Sequence, residues 1–331
     1  MGQQSQNHRD KDYYFELGIR ELDSGNFDSA ISAFKQAIQK NPKDSRVYNN
    51  LGIAYELTND FEKARSAYEK AIEINPDNSS ILNNLAGLSL LEGKPEEAMI
   101  LYDSAISTDP LFIEPYMNIA RMFIEMREFS SAEPYIRNVL QIEPDNAEAL
   151  NFLGVITSVT ERSEEAVKHF QDAIKSDANQ YSVFSNLGTA LRNIGDKKRA
   201  IIAFEKSFEL NPENFSIMNN LGLLYREMGN FDKAKYFFKR AMGIYPDNPF
   251  PYFNIAEMYI KLEEYEEALY NLKKYMFLVP LDLDTLYKTC GIARMANKLA
   301  DVTSEMQTFI DETKPLDPRV DTVKKWLETV Q

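Results

Sequence analysis

Residues 45–78 read SRVYNNLGIAYELTNDFEKARSAYEKAIEINPDN, and a shift of 34 positions in either direction recovers the same order of landmarks. A fixed period of this size marks a chain built from one supersecondary unit used again and again. Within the unit, Tyr48, Leu51, Gly52 and Tyr55 fall at i, i+3, i+4 and i+7, which gathers four side chains on one stripe of an α-helix. Asn59 and Asp60 supply turn chemistry. Ala64, Tyr68, Ala71 and Ile72 form a second helical stripe, and Pro76 stops that helix because it has no N–H to donate. So short a link makes the two helices antiparallel neighbours. Two helices alone cannot bury both stripes, so the units must stack.

Eight such units follow one another from residue 11 to residue 282 without insertion or deletion. Ala holds the twentieth position of every unit, from Ala30 and Ala64 through to Ala234 and Ala268. Leu-Gly recurs as Leu17-Gly18, Leu51-Gly52, Leu153-Gly154, Leu187-Gly188 and Leu221-Gly222, and the closing proline as Pro42, Pro76, Pro110, Pro144, Pro212, Pro246 and Pro280. This order of aromatic, Leu-Gly, Tyr, Ala, aromatic, Ala and Pro across 34 residues resembles the tetratricopeptide repeat family. The resemblance implies an all-α fold, a right-handed α-solenoid superhelix of stacked helix-turn-helix hairpins. It also implies that the first helix of each hairpin lines a concave surface that receives ligands.

The ends of the chain and two repeats depart from the pattern. Residues 1–10, MGQQSQNHRD, read as a disordered tail or an expression remnant. Residues 283–331 read as a degenerate ninth repeat, in a register uncertain by one residue around Tyr287, Cys290 and Gly291, followed by a capping helix. In that last helix Val320, Val323, Leu327 and Val330 make a stripe beside Lys324, Lys325 and Glu328, and Trp326 is expected to pack at the closure. In repeats four and five Val139 replaces a small Ala and Ala178 replaces the closing Pro. Pro134 lies early in a second helix and predicts a shifted helix start rather than a kink.

The net charge of −14 and an isoelectric point near 4.8 argue against a nucleic-acid surface, which needs clustered Lys and Arg to replace phosphate counterions. The same acidity favours basic or neutral partners. The longest apolar run, Leu85–Leu91, is broken by Gly87 and Ser89 and is far shorter than the roughly 18 residues that span a bilayer. The expected location is cytoplasmic, or periplasmic if a signal peptide has been removed. Cys290 is the only cysteine and falls at an apolar helical position, which suits a buried thiol. With two histidines, His8 and His169, and no Gly-rich phosphate loop, no catalytic set, metal site or cofactor site is expected. Glu263, Glu264, Glu266 and Glu267 read as a solvated turn and helix start.

The candidate site is a set of amides. Asn50, Asn84, Asn118, Asn186, Asn220 and Asn254 recur at the sixth position of the repeat, and Asn49, Asn83, Asn151 and Asn219 stand beside them at the fifth. An Asn side chain offers donors and an acceptor, so a row of them suits a peptide backbone whatever its side chains. The other reading gives these amides to neighbouring first helices. Arg192 and Arg226, one repeat apart at the twelfth position, suit an acidic ligand group or a local partner. Nearby Ile53, Leu57, Leu90, Leu91, Ile124, Val155, Val159, Leu223 and Ile260 make the same face apolar. The carboxylate clamp known in the resembled family needs Lys and Arg where this chain has Phe15, Asn49, Asn83 and Asn84, so that specialised role is not expected. The leading expectation is a non-catalytic scaffold that binds an extended peptide or partner segment, with self-association through the solenoid ends. Two alternatives remain: an assembly factor binding folded partners, of the bacterial envelope or pilus-biogenesis type, and a recruiting arm of an enzyme assembled in trans.

Overall fold

The computed structural model describes residues 2–330, with side chains from Tyr13 to Val330. Among the described residues the chain is helical throughout and contains no strand. In chain order the helices are α1 (Gly2–Asp23), α2 (Phe27–Lys40), α3 (Ser45–Leu57), α4 (Phe61–Ile74), α5 (Ser79–Leu91), α6 (Pro95–Thr108), α7 (Ile113–Glu125), α8 (Phe129–Ile142) and α9 (Ala147–Val159). They continue as α10 (Ser163–Ser176), α11 (Tyr181–Asn193), α12 (Lys197–Leu210), α13 (Phe215–Glu227), α14 (Phe231–Ile244), α15 (Pro249–Lys261), α16 (Tyr265–Leu278), α17 (Leu283–Met295), α18 (Thr303–Glu312) and α19 (Pro318–Glu328). From α3 to α17 every first helix begins 34 residues after the one before it, and the second helices α2 to α16 keep the same step. These are the tandem hairpins of an α-solenoid. The chain divides into two compact units, Met1–Ile156 and Thr157–Gln331.

α1 takes in residues 2–10, which the sequence reads as a tail, while Met1 lies outside the described residues. Extending a helix already nucleated by residues 13–23 costs little per residue, and the stretch holds no proline to stop it.

In both units the two helices of a hairpin meet through a missing side chain. A Cβ added at Gly52 would lie 2.5 Å from the Tyr68 ring, at Gly188 2.8 Å from Phe204, and at Gly222 2.5 Å from Phe238; Gly18 sits against Phe34 in the same way. The ring therefore rests on bare backbone, and Phe34, Tyr68, Phe204 and Phe238 are almost wholly buried. Where Ala stands in place of Gly, the facing side chain usually shrinks, as with Ala120 and Ile136 or Ala256 and Leu272. Repeat three keeps Tyr102 opposite Ala86 and brings the ring hydroxyl near Gly87, one position on. The invariant Ala of the second helix, Ala64 or Ala234 for example, has no exposed surface at all.

The turn inside each hairpin puts one residue in the left-handed region. Four of these are Gly25, Gly93, Gly195 and Gly229, but Asn59, Arg127, Glu161, Glu263 and Asn297 adopt the same positive φ, between 57° and 62°. For Arg and Glu this conformation is strained by contact between Cβ and the following carbonyl. Asp60, Asp196 and Asn230 then cap the second helices from the preceding position by accepting a backbone N–H.

Two details differ from the sequence reading. α8 begins at Phe129, in register with the other second helices, and holds Pro134 inside it. The start does not shift, because Ala132, Ile136 and Val139 are fully buried and fix the helix against its neighbours. Pro134 is exposed and forfeits one backbone hydrogen bond on the solvent side. The ninth unit shows no register slip either: α17 lies 34 residues after α15, and a 3₁₀ turn at Leu299–Val302 leads into α18. Cys290, not Gly291, occupies the close-packing position, buried together with Met306. Burial and the Glu305 charge push its thiol up to about 12. Gly291 instead faces Trp326, which stacks on Tyr287 with centroids 5.8 Å apart, while Val320 and Val323 bury the inner side of α19.

Gly52→Ala or Gly222→Ala is expected to destabilise its unit by about 1–3 kcal/mol, because a methyl group would overpack the ring. Glu161→Gly and Glu263→Gly should each stabilise by about 0.5–1 kcal/mol, the relieved left-handed strain exceeding the added chain entropy. Chemical denaturation of each variant checks both signs. Truncation after Pro280 would uncover the apolar edge of α15 and α16, where Leu272 and Met276 are buried. Lower melting temperature or aggregation is expected; a truncated chain as stable and monomeric as the whole would remove the capping role of residues 283–331.

Candidate functional site

The first helices place the fifth and sixth repeat positions at the seam between neighbouring hairpins. There the amides meet one another. In the first unit Asn84 Nδ2 donates to Asn49 Oδ1 at 3.0 Å and Asn118 Nδ2 to Asn83 Oδ1 at 3.0 Å; in the second, Asn254 Nδ2 donates to Asn219 Oδ1 at 2.8 Å. Each bond joins the sixth position of one repeat to the fifth of the repeat before it. The rule explains the exceptions as well. Asn50 is preceded by Phe15 and turns back to the carbonyl of Arg46 at 2.8 Å. Asn220 is preceded by Ser185, too short to reach, and among the described residues its amide has no hydrogen-bond partner. Asn151 and Asn186 are both partnered.

An Asn–Asn bond consumes one of two N–H donors on one amide and one lone pair on the other. These side chains are half-buried, and the bond leaves each amide with a further donor or acceptor to spend. Asn118 is the most committed, since its Oδ1 also accepts from Arg121 Nη1 at 3.0 Å and Arg121 is tied to Glu148 at 2.8 Å. Arg226 Nη1 reaches the backbone carbonyl of Asn254 at 3.3 Å, a weak bond that leaves most of the guanidinium unspent. Arg192 is half-buried one repeat earlier. The aliphatic expectation divides: Leu57, Leu91 and Val159 are about half exposed, whereas Ile53, Leu90, Ile124, Val155, Leu223 and Ile260 are partly covered by neighbours.

Several tying residues were not read from the sequence. Arg65 of α4 bridges to repeat three through Glu92 at 2.7 Å and Glu97 at 2.8 Å, and also donates to Ser89 at 3.1 Å. Tyr68, the ring packed on Gly52, donates its hydroxyl to Glu56 at 3.0 Å. Burial raises the Glu56 carboxyl above its ordinary range despite that bond, and burial with the adjacent Glu56 charge raises the Tyr68 hydroxyl. Polar residues of one repeat facing polar residues about 30 positions on were the available signal, but it carries no partner identity.

Among the described residues no group of three or more His, Cys, Asp or Glu is placed to hold a metal ion. No described helix is long and apolar enough to cross a membrane.

A tetratricopeptide repeat model matches residues 15–79 and again 117–181, and a second tetratricopeptide repeat model matches 58–121. The chain belongs to the tetratricopeptide repeat family. Residues 193–275 of this repeat protein also match the model of anaphase-promoting complex, cyclosome, subunit 3. Among solved structures, it resembles the C-terminal part of a TPR repeat-containing protein from Cytophaga hutchinsonii at 18% identity and a TM-score of 0.57, covering 73% of this chain and 99% of that one. A tetratricopeptide repeat protein from Parabacteroides merdae gives 18% identity and a TM-score of 0.53 over 76% of this chain and 99% of that one. No curated protein matches the chain. At these identities the solved structures speak for the fold alone. Tetratricopeptide repeats support a protein-interaction scaffold.

The Asn pairs are expected to couple neighbouring repeats. In a double-mutant cycle, Asn49→Ala and Asn84→Ala should show an interaction of about 0.5–1.5 kcal/mol by chemical denaturation. Asn220→Ala should change stability by less than about 0.5 kcal/mol.

Proposed function

We propose that this tetratricopeptide repeat protein is a non-catalytic scaffold whose first helices bind an extended, mainly neutral peptide segment of a partner protein. The observation that supports this most directly is the state of the amide row. Asn84 and Asn254 are held in fixed orientations by bonds to the preceding repeat yet keep donors and acceptors unspent, and Asn220 keeps its whole amide. Pre-orientation lowers the entropy lost when a ligand binds. Neighbouring helices lie roughly 8–10 Å apart, so successive amides would meet an extended chain about every third residue at roughly 3.3 Å rise. Main-chain pairing of this kind gives broad sequence tolerance, with Leu57 and Leu91 in the first unit, and Leu223 in the second, setting side-chain preference. Arg192 and Arg226 would hold an acidic side chain or a carboxyl terminus of the same segment.

Affinity purification followed by mapping of the partner onto overlapping peptides identifies the segment. Against it, the variant with Asn186, Asn220 and Asn254 replaced by Ala is expected to lose at least tenfold in affinity with its helicity kept. Each neutral hydrogen bond contributes only about 0.5–1.5 kcal/mol, so single replacements should be near the limit of detection. Unchanged affinity in the folded triple variant would assign the amides to inter-repeat structure alone.

A further inference from the structure

The second helices of the second unit carry a surface that the first-helix face does not account for. At the twenty-second repeat position, a fully outward one, α12, α14 and α16 present Ile202, Tyr236 and Tyr270, which are 65%, 52% and 63% exposed. These helices are neighbours: Phe208 of α12 meets Phe237 of α14 with centroids 5.3 Å apart, and Lys233 of α14 reaches Glu205 of α12 at 3.3 Å. Between α14 and α16 a groove of about 520 Å³ opens over α15, lined by Lys239, Met242, Tyr252, Tyr259 and Tyr270. Its carboxylates are Glu266, already tied to Lys298 at 3.1 Å, and Glu267 in the first turn of α16.

The charge beside these apolar residues runs against that of the whole chain. α12 holds Lys197, Lys198, Arg199 and Lys206 against Glu205 and Glu209, and α14 holds Lys233, Lys235, Lys239 and Arg240 against Asp232 alone. Lys198 precedes Ile202 by one turn, Lys239 follows Tyr236 by one turn, and Lys274 follows Tyr270 with its ammonium 6.0 Å from the ring centre. Among the described residues none of these three lysines has an ion-pair partner. The first unit lacks this coincidence. Its equivalents of Ile202 are Ser32, Ser66, Ile100 and Pro134, and Ile100 lies among Glu96, Glu97 and Asp103.

We propose that the outer wall formed by α12, α14 and α16 is a second docking surface, for an acidic segment of a partner protein that carries aliphatic residues between its carboxylates. Lys198, Lys239 and Lys274 supply the charge, and Ile202, Tyr236 and Tyr270 the apolar contacts. Tyrosines flanked by basic side chains suit such a segment, because rings bury area at low entropy cost while lysine ammoniums stay hydrated until a carboxylate arrives. Charge complementarity selects the occupant and makes its capture dependent on salt. This surface is independent of the first-helix face proposed above.

The test uses the full chain and fluorescein-labelled peptides of twelve residues, (Asp-Glu-Leu)4 as probe with (Asn-Gln-Leu)4 and (Lys-Lys-Leu)4 as controls, followed by fluorescence anisotropy. The acidic peptide is expected to bind at least tenfold more tightly than either control and to weaken as salt is raised. Lys198→Glu, Lys239→Glu and Lys274→Glu together should cost at least tenfold, and Ile202→Ser, Tyr236→Ser and Tyr270→Ser together a similar loss. All six positions are solvent-facing, and circular dichroism checks that helicity is retained. Equal binding of the neutral peptide, or no effect of the charge reversal, overturns the proposal. Loss of binding on Asn220→Ala with Asn254→Ala but not on the outer-wall variants would place the acidic peptide on the first helices and overturn it too. Sedimentation that shows dimers of the unmodified chain, abolished by both outer-wall variants with no peptide bound, would replace the acidic partner by a second copy of the chain.

Discussion

The contact on which the hairpins depend is an aromatic ring laid on a glycine backbone. Gly52 under Tyr68 and Gly222 under Phe238 let two antiparallel helices approach more closely than any Cβ would allow. A close approach fixes the offset of the two helices, and the offset fixes where the turn residue and the next closing loop must fall. Cores packed to the density of organic crystals tolerate few combinations of side chains at such a point. Most exceptions are accordingly matched: Ile136 shares a cluster with Ala120, and Leu272 and Met306 stand at the ring position where Ala256 and Cys290 replace glycine, while repeat three alone keeps a ring, Tyr102, with Ala86. The constant 34-residue step of the helices is the visible result of one packing decision repeated down the chain.

Between hairpins a different device operates. Asn–Asn bonds, the Arg65 bridge to Glu92 and Glu97, and Lys288 set over Phe253 at 5.2 Å all link a repeat to the one before it. In an array where each unit touches only its neighbours, these links set the coupling from one repeat to the next. They also hold the amides of Asn84, Asn118 and Asn254 in fixed orientations, so the coupling of the repeats and the order of these polar groups have one origin. Asn220 stands outside the scheme because Ser185 gives it nothing to hold.

The net charge of −14 is a sum, while recognition is local. α6 carries Glu96, Glu97 and Asp103 with no basic residue, whereas α14 carries four basic residues and one acidic. Reading acidity from the whole composition therefore points to basic partners and overlooks a wall of the second unit with the opposite character. The period conceals this wall as well, since the repeat constrains its buried positions and leaves outward ones such as Tyr236 free to diverge.

The hairpins, their boundaries and the stacking were legible in the sequence because each rests on signals that act within one helix or one turn: stripes at helical spacing, an invariant Ala, a closing Pro and a cap. The amide row was legible as a pattern but not as a set of bonds. Whether Asn84 turns to Asn49 or to a ligand depends on the offset between two stacked hairpins 35 residues apart in sequence, which no spacing specifies. For the same reason the unshifted start of α8 ahead of Pro134, the register that puts Cys290 in the place of glycine and the left-handed conformation of Glu263 emerged only with the fold. Local preference argued against Pro134 and Glu263 there, and burial of the surrounding repeat outweighed it. The sequence by itself determined the hairpin and its period, because those are properties of neighbouring residues; the tertiary structure alone decided which polar groups are spent between repeats and which remain unspent, because that is set by packing across the stack.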